Sequence, residues 1–339
     1  MHRNSILSAI SWFALVPISF GSPTSEDERG SVTIASSIKT IYQFPNGTWL
    51  ENLAIRENGG VLLSELTSPR LLYVDPFNLN SNAAIIHTFS YPATGLVGIA
   101  ELETDIFYVA TSGYSFSNSS DAPVSGQLWR VDMSKYPTST PVTFVASLPS
   151  STQLNGVAAI SGTTKVLIAD YLQGVIWRVD VSTGAVDVAA NSTAFSAKGI
   201  NGIHAPGNGY LYFTNTGAGS YGRIPISSTG TQTGPATIIF QNSTVSPDDF
   251  AIHTKTRVPG AFFMDGANNR VVYTSGTSDS YSVIVNMNGP TAAAFGRRSG
   301  DTNSLYVSST GGNSEYASNP VPVGGALSRI VLLKWCCGV

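Results

Sequence analysis

Four oxygen-bearing side chains stand at equivalent places in a repeating pattern: Glu51, Asn155, Asn201 and Asp248. Two of them open strand-like stretches, "NGVAAISG" and "NGIHAPGNG", with Asn-Gly. A single Asn-Gly reads as a hairpin turn. Two amides and two carboxylates at one recurring repeat position read differently. A fold that superposes its repeats around an axis would gather these oxygens in one place, where they can hold and orient a polar ligand.

The elements that must position them are readable from the repeat itself. Modules begin at Glu51, Val97, Asn155, Asn201, Asp248 and Ala292, at spacings of 46, 58, 46, 47 and 44 residues. Each consists of short β-branched and aromatic runs broken by Gly, Asn, Asp and Pro, the chemistry of strands and hairpins. No long stretch carries apolar residues at a 3.6 period. Six modules of about 45 residues, with about four strands apiece, predict an all-β fold, a six-bladed β-propeller, over residues 37–333. The extra length of the second module falls in the polar loop "SGYSFSNSSDAPVSG". The segment Ser37 to Pro45 would close the ring against the sixth module. In a propeller the innermost strand of each blade lines a central channel, so the polar starts of the modules face one axial opening.

Composition bounds the possible partners. The 339 residues are 42% hydrophobic and only 12% charged, with a net charge of −3. That balance offers no electrostatic reason to expect nucleic acid or an anionic membrane surface. The expected partners are small, apolar molecules rather than macromolecules, and the expected state is a monomer.

The first 21 residues have the form of a secretory signal peptide. Arg3 lies in a short leading region, an apolar run spans roughly Ile6 to Phe20, and the small residues Ser19 and Gly21 sit where cleavage needs them. The run is too short and interrupted for a membrane span. Sequons at Asn46, Asn118, Asn191 and Asn242 agree with passage through the secretory pathway and are candidate glycosylation sites. The expected location is secreted or within that pathway. The two cysteines, Cys336 and Cys337, are adjacent in an expected irregular tail, 334–339, and cannot staple the fold. The core must hold it.

Conventional nucleophilic catalysis is poorly supplied. The body of the chain has no cysteine, no G-x-S-x-G elbow and no H-E-x-x-H zinc motif. Of the four histidines, His204 and His253 fall three and five residues into neighbouring inner strands. Packed strand histidines are the simpler reading of both.

At its module starts the chain resembles the senescence marker protein 30/gluconolactonase-like six-bladed propellers. In that family a Glu, two Asn and an Asp hold calcium or another divalent ion at the channel mouth. The resemblance implies that Glu51, Asn155, Asn201 and Asp248 fill those roles, with "SPDDFAI" matching the family's Pro-Asp-Gly. Calcium suits such hard oxygen ligands. Two positions depart from the pattern: Asp249 replaces Gly, and Asn52-Leu53 replaces Gly-Pro after the glutamate. The stretches "ENLAIRENGGVLLSE" and "GIAELETDIFYVAT" are similar to secreted fungal propellers, some of them hetero-Diels–Alderases of tropolone-sesquiterpenoid pathways.

That likeness implies a pericyclase joining an o-quinone methide tropolone to a humulene-type sesquiterpene. Such chemistry needs no cofactor, only a shaped apolar pocket and hydrogen-bond donors for a carbonyl oxygen. The residues expected to furnish the walls lie just after the inner strands: Glu65, Tyr114, Asp170, Tyr171, Asn215, Asp265 and Ser309. Tyr171 and Asn215 join the four module-start residues as the candidate catalytic set. Two alternatives use the same funnel: a calcium-dependent lactonase or esterase, with Glu51 or Asp248 attacking or activating water, and a non-catalytic binding propeller.

Overall fold

The computed structural model describes residues 32–78, 82–113, 126–195, 199–253, 259–312 and 323–335. The signal segment, Tyr114, Asn118, Cys336 and Cys337 lie outside them. The described chain is almost wholly strand, with two short 3-10 turns at Thr193–Phe195 and Gly266–Asn268. Its strands form six four-stranded antiparallel sheets, each pairing consecutive strands in chain order except one. The exception closes the ring. Strand Val32–Gln43 pairs with Ala326–Trp335 and so becomes the outermost strand of the sixth blade, beside strands formed late in the chain. The ring therefore begins a little before Ser37 and ends a little after residue 333, both ends meeting in one sheet.

Six apolar clusters fill the six junctions between neighbouring blades. The junction of blades four and five, for example, packs Tyr212, Tyr221 and Phe240 against Phe250 and Phe263, all fully buried. Each large side chain buried this way contributes about 1.5–3 kcal/mol relative to exposure. The junction of blades six and one, Tyr306 and Leu327 against Leu50 and Leu63, is of the same kind. With every blade face covered, the sheets hold their angles without a disulfide.

The inner strands are Leu50–Ile55, Gly95–Glu103, Leu154–Ile160, Ile200–His204, Phe250–His253 and Pro290–Phe295. Five of them break register near their first residues, between Leu50 and Asn52, Leu96 and Ile99, Leu154 and Val157, Ile200 and Ile203, and Pro290 and Ala292. In the fifth blade Asp248 N–H donates to Met264 O and Asp249 O accepts from Met264 N–H, so two residues again oppose one. Such bulges re-aim side chains and leave a backbone group without its ladder partner. Hydroxyls on the second strands take it up: Ser64 Oγ accepts from Asn52 N–H at 3.0 Å, Thr214 Oγ1 from Gly202 N–H at 3.0 Å, and Ser308 Oγ from Ala292 N–H at 3.2 Å.

The bulge also explains the glycine of Asn-Gly. A Cβ on Gly156 would lie 2.5 Å from the carbonyl oxygen of Asn201 in the next blade, and one on Gly202 would lie 2.1 Å from Asp249 Oδ1. The asparagine serves the channel; the glycine lets the neighbouring blade approach.

Candidate functional site

The register aligns the six inner strands in tiers around the channel. The uppermost holds Glu51, Val97, Asn155, Asn201, Asp248 and Thr291. Thr291 replaces Ala292 as the sixth member, because Pro290 faces Ser309 as Leu50 faces Glu65. Thr291 Oγ1 is turned to structure, donating to Leu50 O at 2.7 Å.

Glu51, Asn155, Asn201 and Asp248 do meet at this tier. Glu51 accepts a hydrogen bond from Trp49 Nε1 at 2.7 Å and interacts with the Asn155 amide. Burial, reinforced by repulsion from Asp249, pushes the Glu51 carboxyl up to about 7 against the help of Trp49 and Asn155. Asp248 is raised well above the ordinary carboxylate range, first by burial and then by the charges of Glu51 and Asp249, while the Asn201 amide opposes the rise. Both carboxyls of this tier therefore hold their protons to higher pH than an exposed carboxylate does. Asn201 Nδ2 donates to Thr216 Oγ1 at 3.0 Å, and its Oδ1 is buried without a hydrogen-bond partner.

An orphaned amide oxygen beside two mutually repelling carboxylates is a donor set that fits a hard divalent cation. Among the described residues no group of three His, Cys, Asp or Glu side chains is arranged to hold a metal. A cation here would rely on amide oxygens as well as carboxylates.

The second tier holds Asn52, Gly98, Gly156, Gly202, Asp249 and Ala292. Asn52 Nδ2 donates to Asp249 Oδ2 at 2.7 Å from across the channel. Asp249 Oδ1 accepts from its neighbour Phe250 N–H at 2.7 Å and lies 2.9 Å from His204 Nε2. The two departures from the family pattern, Asn52 and Asp249, are thus each other's partners.

Two residues further along each strand come Ala54, Ala100, Ala158, His204, Ala251 and Ala294. Five blades place alanine at this level and one places histidine. All six line a cavity of about 350 Å³ that continues along the channel, walled also by Leu53, Ile99, Val157, Phe250, Ile252 and Phe295. The polar lining is confined to Asn52, Asp249, His204 and Glu101, the last paired with Arg297. His253 lies outside this cavity, buried with Nδ1 3.3 Å from the Tyr273 hydroxyl.

The expected wall residues have other work. Asp170 is fully buried and accepts from Thr152 N–H at 2.8 Å, Gln153 N–H at 3.1 Å, Gln173 N–H at 3.2 Å and Trp177 Nε1 at 3.1 Å. Glu65 and Asp265 pair with Arg70 and Arg270, each five residues on. Asn215 donates to Ala194 O and accepts from Ala218 N–H. Ser309 Oγ accepts from Ala326 N–H. Tyr171 sits in the turn after strand Lys165–Asp170, its backbone bonded to Gln153 and Gly199. None of the six lines the cavity. They cap the second strands, and Asp170, Asn215 and Asp265 fasten them to the segment entering the same blade, at Thr152, Ala194 and Ser246. Of the sequons, Asn46 and Asn191 are exposed, and Asn242 is half-buried with its Oδ1 accepting from Thr244.

No family model matches the chain. A protein of Phoma sp is 26% identical over 341 residues, spanning 88% of this chain and 94% of that protein. One of Sarocladium schorii, asR5, is 26% identical over 312 residues, spanning 79% and 77%. Both carry the name "Putative hetero-Diels-Alderase". Among solved structures, luciferin-regenerating enzyme superposes with a TM-score of 0.65 at 13% identity, covering 87% of this chain and 95% of that one. The calcium-binding protein regucalcin of Agrobacterium tumefaciens gives 0.60 at 16% identity with the same coverage. In fold the chain is a six-bladed propeller like these solved structures, and its sequence relatives are named "Putative hetero-Diels-Alderase".

Proposed function

From that kinship, we propose that this chain is a hetero-Diels–Alderase whose reaction chamber is the axial channel. The finer reading is the union of a tropolone-derived o-quinone methide with a humulene-type sesquiterpene in secondary metabolism. The observation that carries it is the division of the channel. A cavity of about 350 Å³, its polar side chains confined to Asn52, Asp249, His204 and Glu101 among alanines and larger apolar residues, adjoins the carboxylate tier, and among the described residues its lining holds no Ser, Thr, Cys or Lys nucleophile.

Cycloaddition makes one C–C and one C–O bond while three π bonds become one, with no atom lost and no electron acceptor used. The protein's task is to hold diene and alkene in register, worth roughly 7–11 kcal/mol when the pair is well oriented. The half-buried apolar walls Ile252 and Phe295, with Ala54, Ala100 and Ala294, suit the alkene. The heterodiene's carbonyl oxygen gains charge as the bonds form, and hydrogen-bond donors there lower the barrier. The Asn52 amide lines the cavity at this end and is such a donor, and the raised carboxyls of Glu51 and Asp248 lie in the tier beyond it.

A divalent ion, if bound, would be held by Glu51, Asp248, Asn155 and Asn201 Oδ1, and would supply a fixed positive charge at the same end. The chain's own residues still bind, orient and exclude water. The orphaned Asn201 oxygen and the two carboxylates also support a second reading, a calcium-dependent lactonase or esterase. The remaining proposals attach to it unchanged: secretion, glycosylation at the exposed Asn46 and Asn191, and a monomeric state.

The test is the rate of dihydropyran formation from a quinone-methide precursor and humulene, with and without the purified protein. Acceleration over the spontaneous reaction supports the pericyclase. A background rate, together with calcium-dependent opening of a lactone panel, would replace it with the lactonase.

A further inference from the structure

His204 breaks the alanine level of the channel, and its surroundings define which of its nitrogens faces a ligand. Asp249 receives three groups: Phe250 N–H and Asn52 Nδ2 at 2.7 Å each, and His204 Nε2 at 2.9 Å. The first two can only donate, so the carboxylate oxygens act as acceptors. An acceptor facing Nε2 places the imidazole proton on Nε2 and leaves Nδ1 with a free lone pair. The ring is 36% exposed, lines the cavity, and is steadied edge-on against Phe250 with centroids 4.7 Å apart. Asp249 itself is only 7% exposed and is held by Asn52 of the first blade, next but one around the ring. An oriented carboxylate–imidazole pair facing an apolar cavity is an arrangement for accepting a proton.

We propose that His204, aligned by Asp249 and Asn52, is a proton-accepting subsite for an acidic hydroxyl, phenolic or enolic, on the channel's ligand. The ligand's O–H bond breaks with its electron pair remaining on oxygen. The proton forms an N–H bond at Nδ1, and the resulting imidazolium is paired through Nε2–H with Asp249. The proton returns to the oxygen on release. The other ionisable groups around the pair are Glu101, engaged with Arg297 at the cavity wall, and Glu51 and Asp248 in the tier above. None of them supplies a second base directed at the alanine level. The inference rests on the channel being the ligand site, a premise shared with the cycloaddition reading, but not on which reaction follows.

The probe is p-nitrophenol, whose ionised and neutral forms absorb differently, with p-nitroanisole as the analogue lacking the proton. At a pH where the free dye is mostly neutral, the intact protein is expected to bind it with the spectrum of the phenolate. It should bind the anisole about tenfold more weakly, the loss of one charge-assisted hydrogen bond. His204→Gln keeps a polar side chain without the base and is expected to bind the dye in its neutral form. Failure of the protein to bind the dye, binding of the neutral form, or an unchanged phenolate signal in H204Q would overturn the proposal. A second measurement needs no variant. Nitrogen NMR of the histidine-labelled protein at pH 8 is expected to show His204 protonated at Nε2 alone; a proton on Nδ1 would overturn the assignment. Neither readout depends on turnover, so loss of the cycloaddition and loss of this subsite are separable.

Discussion

Asp249 Oδ1 and His204 Nε2 lie 2.9 Å apart and come from adjacent blades, with Gly202 packed beneath the carboxylate. The contact exists because position 202 has no side chain. A Cβ there would sit 2.1 Å from Asp249 Oδ1 and 2.8 Å from its Cα, so the carboxylate or the blade must move. Gly202→Ala is expected to cost about 1–3 kcal/mol of stability, the usual range for forcing a carbon into a packed site, and to abolish phenolate binding in the channel. Gly162→Ala supplies the comparison. Its Cβ meets nothing within 4 Å, and its φ of +75° makes the cost one of backbone strain, about 1 kcal/mol, with dye binding intact. Urea unfolding of both variants checks the ordering.

The buried acids make stability fall as pH rises. The Glu51 carboxyl titrates near 4.5 when unfolded and about 7 when folded, so between those values the native state keeps a proton that the unfolded chain has lost. The stabilisation is complete below pH 4.5 and is lost on passing pH 7. Asp248 acts in the same direction. For Glu51 the full effect amounts to at most about 3 kcal/mol. Glu51→Gln is expected to flatten the decline of unfolding free energy between pH 5 and pH 8. An unaltered slope in E51Q would remove Glu51 from the coupled tier.

A cation bound at that tier would relieve the same repulsion. Chelator-stripped protein at pH 8 is therefore expected to gain a few degrees in Tm on addition of calcium, by preferential binding to the folded state, and less at pH 5, where the acids hold protons. E51Q is expected to lose most of the gain. Melting curves indifferent to calcium at both pH values would exclude a cation from this set of oxygens.

Asp170 shows where the sequence misleads. A carboxylate at the end of a second strand looks the same on paper whether it points into a channel or into its own turn. In the folded chain it receives four N–H donors, with the Thr152 hydroxyl beside it, and has no surface left for a ligand. Asp170→Ala is expected to destabilise the protein by about 3 kcal/mol, the cost of stranding a buried polar network. The surviving folded fraction should keep its catalytic rate per molecule, read by activity normalised to folded protein.

The repeat was legible because each module's strands and turns obey the same local rules, and a ring of six needs no long-range information to be recognised. The convergence of Glu51, Asn155, Asn201 and Asp248 followed from the same spacing. What spacing hides is the bulge, a one-residue offset that moved the sixth blade's member from Ala292 to Thr291. Asn52 and Asp249 looked like departures from a pattern because their bond crosses from the first blade to the fifth, 197 residues apart in sequence. His204 did leave a signal. Read down the aligned strands, Ala54, Ala100, Ala158, Ala251 and Ala294 form a column in which histidine is the exception.

If the channel is the reaction chamber, the enantiomeric excess of the product reports it most directly. Ala100 faces the cavity at the alanine level with part of its surface open and the rest packed on the junction of blades two and three, so Ala100→Phe is expected to fill the cavity, with Tm checking that the junction holds. With a quinone-methide precursor and humulene, the intact protein is expected to give one enantiomer in excess, and A100F, folded and equally stable, a racemic product at the spontaneous rate. Racemic product from the intact protein, or undiminished selectivity in A100F, would contradict a reaction in the channel.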